Sequence, residues 1–158
     1  MARHDFETLL DEFQSMISSN LNTKITSIVS DKGDSITPPA LDSNAYFLQT
    51  LDEAVANFDP FLVYGIEDIQ IISDGPLTHE KIFISAVIVL TDNGRSNMNR
   101  IMFRYSRALK EVVEENWQID NTSSKISVNR STVVPFESMD SSATYKAIGI
   151  EVEFNLAS

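Results

Sequence analysis

The stretch KIFISAVIVLTD, residues 81–92, constrains the fold more than any other part of the chain. Ile82, Ile84, Ala86, Ile88 and Leu90 fall on one side of an extended backbone, and Phe83, Val87 and Val89 on the other. A strand that is apolar on both sides belongs inside a sheet with both faces covered. Ile84 and Val87 are therefore expected to be buried on opposite faces of a central strand. The chain has 158 residues, the size of one domain. A domain of this size buries about 70% of the surface its unfolded form exposes, so it needs no covalent staple.

Other segments supply the partners of that strand. Residues 5–20 read as an amphipathic helix, because Phe6, Leu9, Leu10, Phe13, Met16 and Ile17 recur at helical spacing. Asp5 is the expected N-cap and Asn20 the expected stop. KITSIVSD, residues 24–31, reads as a short strand. DKGDSITPPALDSN, residues 31–44, reads as loop, since its prolines, glycine and acidic residues suit neither a helix nor a central strand. It is long for a connection inside one domain, which makes it a candidate functional arm. AYFLQTL (45–51) reads as a strand, and 52–68 as a turn or two followed by extended chain, broken at Asp59-Pro60 and Gly65. IQIIS (69–73) is a strand joined to the central one through turn residues Asp74, Gly75 and Pro76. Residues 124–136 form another strand, with Pro135 near its end. In the closing strand Ile148, Ile150, Val152, Phe154 and Leu156 alternate with Gly149, Glu151, Glu153 and Asn155, so one of its faces is wet.

RIMFRYSRALKEVVEEN, residues 100–116, carries the second helix. On a helical wheel Ile101, Tyr105, Ala108, Leu109 and Val112 share one side, with Met102 and Val113 at its margin. Arg100, Arg104, Arg107, Glu111 and Glu114 are placed on the other. Arg107–Glu111 and Lys110–Glu114 are spaced to pair along the helix, each worth about 0.2–0.5 kcal/mol. The charges run from basic to acidic along the helix, against its dipole. Two readings stand: an ordinary solvated face on a sheet-packed helix, and a face that meets acidic groups of a neighbouring subunit. The charge order and the concentration of arginine, whose planar fork is enriched at interfaces, favour the second. Arg100, Arg104, Arg107 and Glu111 are thus candidate subunit contacts, together with Asp34, Ser35, Pro38 and Pro39 of the loop.

Several chemistries lack their residues. The chain has no cysteine, which removes disulfides and thiolate sites. It contains no phosphate loop, dinucleotide fingerprint or zinc-protease helix. Its histidines, His4 and His79, fall at the terminus and in the turn before the central strand. Glu67 and Asp68 beside Tyr64 are the nearest thing to an acid–base cluster, and surface solvation accounts for them. Trp117 reads as a packing anchor. Twelve basic residues face 23 acidic ones, a formal net charge of −11, which disfavours phosphate backbones and anionic lipid. The opening MARHDFETLLDEF is charged where a signal peptide is apolar, and no membrane span is expected.

The order of these elements resembles that of the tail-terminator and tail-completion proteins of tailed bacteriophages. The likeness runs over most of residues 5–157: an amphipathic first helix, a loop, NFDPFLVYGIEDI, a long central strand, RYSRALKEVVEEN, a proline-ended strand and YKAIGIEVEFNLA. It implies a single α+β domain, residues 1–158. Its mixed, mainly antiparallel sheet would be flanked by the N-terminal helix and a second long helix, with 31–44 as an arm. It further implies a structural virion protein, not an enzyme, with no cofactor and no metal. Subunits would form a ring, usually a hexamer, at the head-proximal end of the tail, touching the tail-tube and neck or connector proteins. DNA would pass through without specific binding, and assembly would take place in the host cytoplasm, away from membranes. Two other readings compete: a head-closure or connector protein of the same neck, and a small ligand-binding or hydrolytic α+β domain. The last would need a buried titratable pair between sheet and second helix.

Overall fold

The computed structural model describes residues 6–48, 58–75, 77–92, 96–116, 125–137 and 144–157; at 74, 77–79, 125–137, 144 and 155–157 it describes the backbone alone. Seven elements follow in chain order: α1 (Phe6–Lys32), β1 (Tyr46–Leu48), β2 (Phe61–Asp74), β3 (Leu77–Thr91), α2 (Met98–Glu115), β4 (Lys125–Glu137) and β5 (Thr144–Ala157). The strands form one sheet in the order β1-β2-β3-β5-β4. β1 runs parallel to β2 and every other pairing is antiparallel, so the fold is α+β with a mixed, mainly antiparallel sheet.

β3 is the middle strand, as its two apolar faces require. Ile82, Ile84, Ala86, Ile88 and Leu90 are fully buried beneath the two helices. The opposite face is covered less evenly. Near the end of β3, Val89 is buried with Phe61, Ala45, Tyr145 and Ala147, and Phe47 and Phe58 pack against this cluster. Val87 is only half-buried, which corrects the expectation of full burial. Among the described residues both helices lie on one face, and the other is covered by a few mostly aromatic side chains. Toward the β2–β3 turn that second face becomes polar. Ser85 donates to Glu67 at 2.7 Å, and Lys81 pairs with Glu153 at 3.3 Å.

α1 is much longer than its sequence pattern suggests. It does not stop at Asn20, and residues 24–31 are helix, not strand. Its buried positions are Leu9, Phe13, Ile17, Leu21, Ile25 and Ile28. Each step of four overshoots one turn by about 40°, so the buried stripe winds slowly around the helix. The Asn20 side chain donates back to the Met16 carbonyl at 2.7 Å, one turn earlier, instead of ending the helix. The β-branched residues Ile25, Thr26, Ile28 and Val29 favour a strand locally; packing of Ile25 and Ile28 on the core overrides that preference.

β2 is also longer than expected, a single strand from Phe61 to Asp74 with an irregularity between Ile66 and Asp68. Asp59 and Pro60 stand just before it, and Gly65 is accommodated inside it. The Asp59 carboxylate accepts the Thr91 amide at 3.0 Å and the Thr91 hydroxyl, tying the start of β2 to the end of β3. His79 lies in β3, not in a turn. The expected positions of Asp5, His4 and Trp117 lie outside the described residues.

Candidate functional site

Both helices cross the same face of the sheet and run antiparallel. Their contact is lined by a ladder of opposite charges. Lys24 of α1 meets Glu115 of α2 at 2.6 Å, and Asp31 meets Arg107 at 3.6 Å. Beyond the end of α1, Asp34 meets Arg104 at 2.5 Å. The basic-to-acidic order of α2 is therefore matched by its neighbour in the same chain. Arg107 also pairs with Glu111 at 3.0 Å, and Lys110 with Glu114 at 3.8 Å, as their spacing predicts.

Arg104 is the one buried charged side chain among the described residues. Its two terminal nitrogens donate to the two Asp34 oxygens, at 2.8 and 2.5 Å, and Nη1 also donates to the Ile36 carbonyl. The carboxyl of Asp34 is held down at about 2, chiefly by the Arg104 hydrogen bond. Partial burial opposes this; the Ile36 amide and the charges of Arg104 and Arg100 add to the lowering. The Asp34 carboxylate in turn raises the pKa of Arg104.

The segment from Gly33 to Asn44 has no helix or strand, as its composition predicts. It is nonetheless fastened to the rest of the chain at several points. Tyr105 Oη donates to the Pro39 carbonyl at 2.5 Å. Asn22 holds Leu41 by both backbone groups, accepting its amide at 2.9 Å and donating to its carbonyl at 2.8 Å. Pro38 and Leu41 are buried, and Ser35 is exposed, as is part of Asp34 although its carboxylate turns in to Arg104.

The candidate contact residues thus separate. Arg104, Asp34, Pro38 and Pro39 belong to an internal joint, and the placement of Arg104 on the wet side of the helix is corrected. Arg107 and Glu111 pair with each other and stay partly exposed. Ser35 and Arg100 are exposed. Around the joint opens a cleft of about 300 Å³ lined by Lys32, Asp34, Arg100, Phe103, Arg104 and Arg107. Phe103 is 61% exposed there. Lys32 and Phe103 were not singled out from the sequence. Phe103 carried a signal: it sits three residues after Arg100 and four before Arg107, in the middle of the polar side of the wheel.

The remaining candidates do not converge. Glu67 and Asp68 are exposed, whereas Tyr64 is buried with the helix-side core. Asp68 accepts its neighbour's amide, from Ile69, at 2.9 Å, and the Gln70 side chain at 3.1 Å. Among the described residues no three metal-ligating side chains cluster. No described helix is long and apolar enough to cross a membrane. The layer between sheet and helices is filled by aliphatic and aromatic side chains, without a buried pair of titratable groups among the described residues.

Among the described residues the fold is α+β: two antiparallel helices on one face of a mixed sheet, with a cationic cleft where the helices meet at one end. Neither the protein-family models nor the curated proteins give a match to the sequence. Among solved structures, the fold is similar to that of a chain in the virion of a native gene transfer agent particle. The TM-score is 0.50 at 12% identity, and the match covers 90% of this chain and 95% of that one. At this identity the likeness is one of fold.

Proposed function

We propose that this chain is a structural virion protein that assembles as a ring at the head-proximal end of a phage-type tail. There it caps the tail tube and joins it to the neck. The observation that carries the reading is the extent of the fold likeness: it runs the length of both chains, and the neighbour is a chain of a virion particle. The sequence order that resembles tail-terminator proteins supports the same role. The apolar packing between sheet and helices supports a scaffold in preference to a catalyst. A formal charge of −11 suits a ring through which DNA slides without being held.

The test is native mass spectrometry of the purified protein beside negatively stained images. A closed ring of six copies with an open lumen is the expected result. A protein that stays monomeric at every concentration, alone and with tail tubes added, would overturn the reading.

A further inference from the structure

Within the ring reading, on which this inference rests, the cationic cleft and the far half of β2 fit one another. The cleft holds four cations against the single carboxylate of Asp34. Two of those cations are satisfied nearby, Arg104 by Asp34 and Arg107 by Asp31 and Glu111. Arg100 and Lys32 make no salt bridge within 4 Å among the described residues, although the Arg100 charge acts on Asp34, and both stand exposed beside Phe103. An exposed aromatic beside two exposed cations is a surface for an acidic segment that also carries apolar side chains.

The chain has such a segment. From Glu67 to Ser73 every residue of β2 is exposed. Glu67 and Asp68 bring negative charge, and Ile69, Ile71 and Ile72 are 39%, 70% and 38% exposed. β1 pairs with β2 only as far as Tyr64, so beyond it the outer edge of β2 has no strand partner among the described residues. A long edge with exposed isoleucines is a surface that proteins ordinarily cover.

The two surfaces lie at opposite ends of the sheet. Lys146 donates to Asn99 at 3.3 Å and sits opposite Leu90, which places the start of α2 at the end of β3. Ile71 and Ile72 sit opposite Glu80 and His79, near its beginning. Along the strand Ile72 is roughly 35 Å from the level of Leu90 and Asp68, opposite Phe83, roughly 23 Å. One chain therefore cannot bring its own two surfaces together. Two cationic clefts repel each other, as do two acidic edges, which disfavours a two-fold pairing of either. Unlike surfaces at opposite ends generate a head-to-tail contact, and such contacts close into rings when the rotation allows.

We propose that the cleft formed by Lys32, Arg100 and Phe103 receives the Glu67–Ile72 edge of a second copy of this chain. Asp68 of that copy faces Arg100, and its Ile72, on the same face of β2 as Asp68, covers Phe103.

Charge exchange tests this. Arg100→Glu, Lys32→Glu and Asp68→Lys are each followed by light scattering across a range of concentrations, with circular dichroism to show that the variants are folded. Each variant alone should need at least about tenfold more protein to assemble than the parent. Mixing Arg100→Glu with Asp68→Lys should restore assembly, because the altered cleft then meets the altered edge and the native surfaces meet each other. If every folded variant assembles like the parent, the pairing is overturned while the ring stands. Loss in each variant without rescue on mixing also overturns it, since cleft and edge then fail to meet. A parent protein that never assembles removes the ring and the pairing together.

Discussion

Asp34 grips Arg104 with both carboxylate oxygens across seventy positions of sequence, and the pair joins an irregular loop to the middle of a helix. Arg104 is nearly enclosed while Asp34 is about one-third exposed, at 7% and 35% of their side-chain surfaces. The fork geometry is the point of the arrangement. A lysine could supply the charge but not two parallel donors with a third contact to Ile36. Arg104→Lys should therefore lower the melting temperature, and Arg104→Ala should lower it further. Equal melts for all three proteins would show that the joint contributes nothing to stability.

The same pair gives a pH dependence of definite sign. The Asp34 carboxyl titrates at about 2 in the folded chain, below its ordinary 3.8. The unfolded chain therefore takes up this proton first as pH falls. The stabilisation is complete above about pH 5 and fades as pH drops through 4 toward 2. Urea melts of the parent and of Asp34→Asn should differ most near pH 6 and converge toward pH 2. A gap that does not change with pH would assign the effect to shape and not to charge.

The loop itself yields a prediction for the isolated chain. The amides of Ile36 and Leu41 are bonded to the side chains of Asp34 and Asn22. Leu41 is buried against the core and Ile36 packs on it. Hydrogen exchange at Leu41 should be slow in the monomer and should speed up in Asn22→Ala, which loses both bonds. Exchange of Leu41 at the rate of an open coil in the parent would instead support the picture of a free arm.

How much of this was legible follows from the range of each interaction. β3, β5 and α2 announce themselves through periodicity, which depends only on near neighbours. α1 runs on past its legible part because Asn20 and the β-branched run at 25–29 are local signals, and the packing that overrides them is not. Asp59-Pro60 and Gly65 likewise suggested a broken segment where β2 begins and continues. Arg104 departs from its pattern for a different reason. It lies three residues after Ile101 and four before Ala108, and so flanks the buried stripe by angle alone. Its charge argued for solvent, and its partner is seventy residues away, beyond any periodic pattern.

The central strand can be tested at its two faces separately. Ile84 has no exposed surface and sits beneath both helices. Ile84→Ala should cost about 2–5 kcal/mol through the cavity it leaves. Val87, half-buried on the other face, should cost less on truncation to alanine, about 1 kcal/mol. Denaturant melts that rank the two substitutions in the reverse order would contradict the one-sided placement of the helices.

Tyr46 offers a stabilising substitution. It lies in β1 opposite Leu62, and its ring packs against the helix-side core. Its hydroxyl is buried without a hydrogen-bond partner among the described residues. Burial pushes the phenol up to about 12. A buried hydroxyl without a partner loses its hydration and gains nothing in return. Tyr46→Phe keeps the ring and removes the hydroxyl, so it should be neutral or stabilise by about 1 kcal/mol. A clear loss of stability would reveal a bond made by that oxygen.

Gly149 is the position where the sheet admits no side chain. It stands opposite Val87 in the β3–β5 register, on the face away from the helices. A Cβ there would lie 2.7 Å from Val87 Cγ2 and 2.8 Å from the Ala86 carbonyl oxygen. The first contact can be relieved by turning Val87. The second is with backbone held in the ladder of the central strand, and it can be relieved only by moving β3 against β5. Gly149→Ala should therefore destabilise by about 1–3 kcal/mol, although alanine suits a strand better than glycine does. Adding Val87→Ala removes the side-chain contact and leaves the carbonyl in place. If the carbonyl is the obstacle, the double variant should show no recovery relative to Val87→Ala alone. Full recovery would identify the Val87 side chain as the obstacle, and urea melts of the parent, the two single variants and the double variant separate these outcomes.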